Sequence, residues 1–247
     1  MEQQLVQAFL DAYCGQPPVP SGLWQRWNLD PWVLTALAAG LVASFRARNG
    51  MAGRAAGAAA VAVLLVAFVS PLCALSSALF SARIAHHLLL VAVAAPLIAI
   101  ALPGGGGRLP LTLLATAHAA VFWLWHAPGP YVWSLSHPAA YWLMELTLLA
   151  TAVAFWRAAL DPGRHAAGLL ALVATMAHMG LLAAVLTFAG APLYAPHLTT
   201  TQAWGLTPLQ DQQVAGLLMW TAGAVPYIAA AVAMLGTRLR LADGEPA

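Results

Sequence analysis

Side chains that bind soft metals gather near one set of helix ends in this sequence. His86 and His87 stand together at the mouth of a long apolar run, and His126 closes another such run. Asp211 opens the last apolar run, and Met219 follows on the same helical stripe, about 12 Å farther along. Imidazole nitrogen and thioether sulfur are ligands that suit Cu(I). The five residues are therefore the candidate metal ligands, and copper is the candidate cofactor.

The composition places these residues in a membrane protein. The 247 residues are 62% hydrophobic and only 7% charged, whereas a soluble domain carries roughly 25% charged residues. The lipid bilayer is therefore an expected partner. A net charge of +2 is too small to favour a nucleic-acid partner.

The apolar runs predict an all-α fold, a polytopic seven-helix transmembrane bundle. The bundle occupies residues 29–240, between an N-terminal tail of residues 1–28 and a C-terminal tail of residues 241–247. The predicted spans are 30–46, 54–73, 84–102, 109–127, 138–157, 166–190 and 209–236.

The arginines orient this bundle. With seven spans, eight of the ten arginines fall on one side: Arg46, Arg48, Arg54, Arg108, Arg157, Arg164, Arg238 and Arg240. Positively charged loops stay in the cytoplasm, so we expect a periplasmic N-terminus and a cytoplasmic C-terminus in a bacterial inner membrane. Cys14 and Cys73 then both lie on the oxidising outer side, where they could pair, bind metal or do neither.

Several alternatives compete with a metal site at the outer ends. The histidines could be solvated helix ends, and Asp211 could cap the last helix. Arg83 lies one turn from His87 and disfavours a nearby cation, and it could instead pair with Asp211 or Glu145, which would make the cluster structural.

A second pair of histidines lies deeper. His118 and His178 fall near the middle of two spans at the same depth, and we expect both to face the bundle interior. Such a pair could ligate a b-haem, which would make the protein a haem- or quinone-linked redox protein. A metal transporter or a structural scaffold is a further alternative. The sequence has no nucleophile motif, phosphate loop or Cys-x-x-Cys, so no enzymatic activity is expected.

Three blocks of sequence resemble the CtaG family of bacterial cytochrome c oxidase assembly factors, over about residues 25–236. The blocks are Phe80-Ser-Ala-Arg-Ile-Ala-His-His-Leu-Leu-Leu with Ala94-Ala-Pro-Leu, Trp125-His-Ala-Pro running to Phe155-Trp156, and Leu186-Thr-Phe continuing to Gly205-Leu-Thr-Pro-Leu-Gln-Asp-Gln-Gln-Val-Ala-Gly-Leu-Leu-Met-Trp220. The resemblance implies a polytopic inner-membrane protein that matures haem–copper oxidases and handles copper. Cytochrome c oxidase subunits and a periplasmic copper donor are the implied partners.

The resemblance extends to the candidate ligands with one departure. His87, His126, Asp211 and Met219 match the family pattern, whereas His86 is particular to this chain. Where family members commonly have His-Met-x-Gln-His, this chain has Arg83-Ile84-Ala85-His86-His87. A site that needs the first His-Met pair would be weakened here or moved by a helix turn.

Overall fold

The computed structural model describes residues 13–46, 50–103 and 109–242, and within these ranges every regular element is helical. The helices are α1 (Pro31–Arg46), α2 (Gly50–Phe68), α3 (Leu72–Ala78), α4 (Phe80–Ala101), α5 (Leu111–His126), α6 (Pro128–Ser136), α7 (Pro138–Ala159), α8 (His165–Phe188), α9 (Pro208–Trp220) and α10 (Ala224–Ala242). Arg48, Arg108, the start of the N-terminal tail and most of the C-terminal tail lie outside the described residues.

Five helical segments are long and apolar enough to cross a membrane, by length and composition. They are α2, α4, α7, α8 with the turn that precedes it, and α9 together with α10. The chain is therefore a multi-pass helical membrane protein. The apolar helices α1 and α5 have 16 residues each and rise about 24 Å, less than the hydrocarbon core. The predicted count of seven spans and the predicted orientation therefore stay predictions.

The structure divides the predicted seventh span into α9 and α10. The amide of Gly223 bonds back five residues to Leu218 at 3.0 Å, and the amide of Ala224 bonds to Thr221 at 3.2 Å. These bonds replace the regular four-residue ladder, so the helix breaks between Trp220 and Ala224.

A π-helical segment in α4 ties this helix to α7. Pro96 has no amide hydrogen, and the Ala95 amide bonds back five residues to Leu90 over the segment Leu89–Ala94. The Val91 carbonyl therefore lacks a helical donor, and it accepts a hydrogen bond from Trp156 Nε1 at 2.8 Å. The indole is 1% exposed, so this bond fixes the two helices against each other inside the bundle.

A disulfide joins the N-terminal segment to one end of the bundle. Cys14 and Cys73 are paired, which resolves the alternatives that the sequence leaves for them. Tyr13 stacks on Tyr141 with ring centroids 4.8 Å apart, and its hydroxyl donates to Asp30 at 2.7 Å. Burial raises the pKa of Tyr13 to about 12, and the same hydrogen bond lowers the pKa of Asp30. We call the segment 13–30 the strap.

The opposite end of the bundle carries arginines that bind loop carbonyls. Arg157 donates to the Pro103 carbonyl at 3.2 Å, and Arg164 donates to the Leu109 carbonyl at 3.1 Å. The disulfide and these arginines therefore mark opposite ends of the molecule.

Close packing of α9 against α8 sets the position of Asp211. A Cβ atom at Gly216 would collide with the Thr187 hydroxyl and the Ala183 carbonyl, so only glycine permits this approach. With α9 held there, Asp211 in its first turn reaches the start of α4.

Candidate functional site

Glu145 lies at the centre of a buried polar cluster at the disulfide end of the bundle. One carboxylate oxygen lies 3.2 Å from Arg83 Nη1 and 3.6 Å from His87 Nε2, and the other lies 3.4 Å from His86 Nε2. Positions 83, 86 and 87 share one face of α4, because they are three and four residues apart. Each of the four residues is at most 1% exposed. We call these four residues, together with His126, the imidazole cluster.

Charge balance explains how the buried Arg83 is tolerated. A guanidinium removed from water is costly unless an opposite charge lies against it, and Glu145 provides that charge. Of the two partners that the sequence offers for Arg83, the structure shows Glu145. The guanidinium also lies 5.3 Å from the ring centre of Tyr141.

His126 joins the cluster from the end of α5. Its Nδ1 lies 2.6 Å from the Phe122 carbonyl, and because a carbonyl can only accept, Nδ1 carries the proton. Nε2 therefore keeps a free lone pair. The ring centroid lies 5.4 Å from that of His87, so two helices bring their imidazoles together.

Several polar atoms of the imidazole cluster are buried without a hydrogen-bond partner. They are both ring nitrogens of His86 and of His87, Nε2 of His126, Glu145 Oε2, and Nε and Nη2 of Arg83. A buried polar atom without a partner costs about 1–3 kcal/mol, and native proteins seldom keep such atoms unless water or an ion completes the site. These atoms are the positions at which water or an ion would complete the cluster.

Asp211 has a different environment from Glu145. Its carboxylate accepts from the Phe80 amide at 2.6 Å, the Ser81 amide at 3.2 Å and the Ser81 hydroxyl at 2.5 Å. The carboxylate thus caps the N-terminus of α4, where negative charge is favoured. The α9 helix has its own capping box, formed by Thr207 and Gln210. Asp211 therefore caps a neighbouring helix rather than the helix that carries it.

Met219 lies in a second environment away from the carboxylates. It is 2% exposed and lines a cavity of about 250 Å³ together with Met176 and Met179. Of the five predicted ligands, the structure brings His86, His87 and His126 together and places Asp211 and Met219 in separate surroundings.

The deeper histidines both lie near Phe122. His118 is fully buried, as predicted, and its Nδ1 lies 3.2 Å from the Thr151 hydroxyl. The ring centroid of His178 lies 5.9 Å from that of Phe122, and that of His118 lies 6.2 Å from it. Residues 118, 122 and 126 form one stripe of α5, which presents both histidines of this helix to the bundle.

His197 has a structural role at the same end of the molecule. Its Nδ1 donates to the Ala78 carbonyl at 3.3 Å, so Nε2 accepts from the Tyr131 hydroxyl at 2.7 Å. Both ring nitrogens are satisfied, and burial lowers the pKa of His197 to about 3, which keeps the ring neutral.

Glu145 is the central residue that the sequence prediction omitted as a site. It is the only acidic residue of α7, and an ionisable residue inside a spanning helix indicates function by default. That signal was available in the sequence. The sequence could not show that α7 also contacts the disulfide. Tyr141 Oη lies 3.5 Å from Cys14 Sγ, and only folding brings these two residues together.

The donor types of the cluster fit copper, but the arrangement is not a formed metal centre. Among residues 13–46, 50–103 and 109–240, no group of three or more His, Cys, Asp or Glu side chains is spaced to hold a metal ion. His87 and His126 have adjacent rings, and Nδ1 of His87 and Nε2 of His126 have neither a hydrogen bond nor a carboxylate contact.

The C-terminal half of the chain matches a known protein family. The family model described as cytochrome c oxidase caa3 assembly factor (Caa3_CtaG) matches residues 108–240. The match includes His126, Glu145, Asp211 and Met219, and it begins after His86 and His87. No curated protein matches the chain, and no solved structure matches it.

Proposed function

We propose that this chain, which belongs to the cytochrome c oxidase caa3 assembly factor family, assists oxidase assembly by holding copper at the imidazole cluster. Family membership rests on a match over more than half of the chain, and it associates the chain with cytochrome c oxidase. The copper, its location and the residues that hold it are our proposal.

The tautomer of His126 is the observation that carries the proposal. Ligand histidines commonly donate one ring N–H to a carbonyl or carboxylate, which fixes the ring and leaves the other nitrogen for the metal. His126 has this arrangement, with Phe122 as acceptor and Nε2 open beside His87. Two nitrogens that share a metal, each at about 2 Å, lie roughly 4 Å apart, which adjacent imidazoles can provide.

The remaining residues of the cluster would position the ligands and balance charge. When bound, copper would supply a soft, redox-active cation for delivery to the oxidase. His86 and His87 could each direct one nitrogen towards Glu145 and keep the other open. Because Glu145 neutralises Arg83, the charge of Arg83 opposes a bound cation less than the sequence alone suggests.

We infer that the cluster faces the periplasm of a bacterial inner membrane, in a seven-span bundle with its N-terminus outside. Disulfides persist in oxidising compartments, and the Cys14–Cys73 bond lies at the cluster end. Arginines concentrate at the other end, as expected for a cytoplasmic face. A periplasmic copper donor could then reach the cluster, and an oxidase subunit could accept the ion there.

Complementation of a deletion strain tests the proposal. We expect His87→Ala and His126→Ala each to lower oxidase activity and copper content while the protein stays at normal levels in the membrane. His137→Ala is the matched control, because His137 is exposed at the same end and forms no side-chain cap bond. Normal oxidase activity in both cluster variants would show that the cluster is structural, as in a scaffold.

A haem-linked redox role is the second candidate, and the pair of His118 and His178 supports it. The Phe122 ring lies 6.2 Å from that of His118 and 5.9 Å from that of His178, so a macrocycle held by the pair would have to fit beside this side chain. A Soret band in the purified protein that is lost in His178→Ala would favour this role over copper. A metal transporter would instead show copper uptake into vesicles that depends on His87.

A further inference from the structure

Three of the seven methionines converge on one cavity. Met176 and Met179 come from α8, three residues apart and thus on one face, and Met219 comes from the last turn of α9. Met179 and Met219 are each 2% exposed. Two helices therefore place methionines at the wall of a shared space, which we call the methionine cavity.

Packing alone does not account for this arrangement. Methionine serves in cores as a flexible side chain that fills irregular gaps. Here the three methionines line a space of about 250 Å³ that they leave unfilled. That volume is many times the roughly 30 Å³ that one water molecule occupies in the liquid, so the side chains have room to rearrange around a bound ion.

The methionine cavity lies at the break between α9 and α10. Trp220, Gly223 and Ala224 line it beside the methionines. The amides of Gly223 and Ala224 bond to Leu218 and Thr221, so neither donates to the carbonyls four residues back. Interrupted spanning helices place such carbonyls at cation sites in membrane proteins.

The chemistry of the lining selects the ion. The lining consists of thioethers, glycines, an indole and alanine, without a carboxylate or an imidazole. Hard divalent ions require oxygen ligands, whereas thioethers select soft ions such as Cu(I). A monovalent ion also costs less to desolvate than a divalent one in this apolar setting.

We propose that the methionine cavity is a second metal site, separate from the imidazole cluster, which binds soft monovalent ions such as Cu(I) and Ag(I). This second site rests on the proposed function only in that copper is named as its physiological ion. The binding of Ag(I) tests it independently of oxidase assembly.

Metal titration of the full-length protein in detergent tests the site. Under reducing conditions, Cu(I) and Ag(I) are titrated in competition with a coloured chelator, and X-ray absorption reports sulfur and nitrogen ligands. We expect Met176→Leu/Met179→Leu to weaken Ag(I) binding by about tenfold or more and to remove the copper–sulfur signal. Leucine nearly conserves the volume, so the fold should persist.

Met234→Leu is the matched control, because Met234 lies on α10 and lines a different cavity. It should leave Ag(I) affinity and the sulfur signal unchanged. His87→Ala/His126→Ala should remove the nitrogen signal and leave the sulfur signal. If the double leucine variant binds Ag(I) as the wild type does, or if copper shows no sulfur ligand in the wild type, the site does not exist. Loss of the nitrogen signal without an effect on oxidase activity would instead contradict the proposed function alone.

Discussion

Two buried carboxylates at the same end of the bundle have opposite surroundings. Asp211 accepts three hydrogen bonds from the start of α4, and its oxygens are occupied. Glu145 lies among one guanidinium and two imidazoles at 3.2 to 3.6 Å, and only the contact with Arg83 has the geometry of a hydrogen bond. A carboxylate with all its donors in place stabilises a fold, whereas one with incomplete partners can accept a ligand. Burial alone therefore does not distinguish a structural acid from a functional one.

The largest effect is expected for Glu145→Gln. This change leaves the buried Arg83 without a counter-charge, and the free energy of unfolding should fall by about 3–5 kcal/mol. Unfolding of the purified protein in detergent measures the loss. Adding Arg83→Met should restore most of the stability but not oxidase activity, which separates charge balance from function. Wild-type stability in the single variant would mean that Glu145 is protonated.

Asp211→Asn should lower stability less than Glu145→Gln does. It should not change oxidase activity relative to the amount of this protein. An amide replaces one acceptor oxygen and removes the charge at the start of α4, at a cost of about 1.5–3 kcal/mol. Less protein should reach the membrane, while oxidase activity divided by the amount of this protein should match the wild type. A lower ratio, like that expected for His87→Ala, would place Asp211 in the site and remove the contrast with Glu145.

Ser81→Ala sharpens the interpretation of Asp211 as a cap. It removes one of three donors and leaves both amides in place, so we expect a loss of about 0.5–1.5 kcal/mol in unfolding free energy. Thermal unfolding of this variant beside Asp211→Asn provides the measurement. A loss as large as that of Asp211→Asn would show that the hydroxyl, rather than the helix end, holds the carboxylate.

His126→Phe should change stability least. Phenylalanine conserves the ring that lies 4.3 Å from Phe122, and it removes the unpartnered Nε2 atom. Loss of the Nδ1 bond to Phe122 and removal of the unpartnered Nε2 have opposite effects, so we expect a change of at most about 1 kcal/mol in the free energy of unfolding, together with a loss of oxidase activity. Strong destabilisation would indicate that Nε2 has a structural partner, such as ordered water.

Much of the architecture could be predicted from apolar runs and breakers. Helix type, membrane character and the shared level of His87 and His126 follow from spacing along single helices. Asp211 shows the limit of this reasoning. Its own helix start suggested a local cap, but its partners lie 130 residues earlier, and only the packing of α9 on α4 brings them together.

The sequence pattern also did not predict the break in the last span. Residues 221–223 are Thr-Ala-Gly within an apolar run, which is a weak signal for a helix end. Pro226, the stronger breaker nearby, lies inside α10. The helix breaks where the Gly223 amide bonds five residues back, to Leu218. Hydropathy cannot predict this change in hydrogen bonding.

The disulfide has a consequence for biosynthesis. Ribosomes deliver the chain from its N-terminus, so Cys14 and Cys73, 59 residues apart, are both made well before Tyr141. Their bond can close while α7 is still unmade, and the closed ring already contains α1 and α2. Tyr141 would then pack against a disulfide that has already formed, with its hydroxyl 3.5 Å from Cys14 Sγ. Oxidation of the two cysteines before α7 is made would therefore prepare the surface against which α7 places Glu145 in the imidazole cluster.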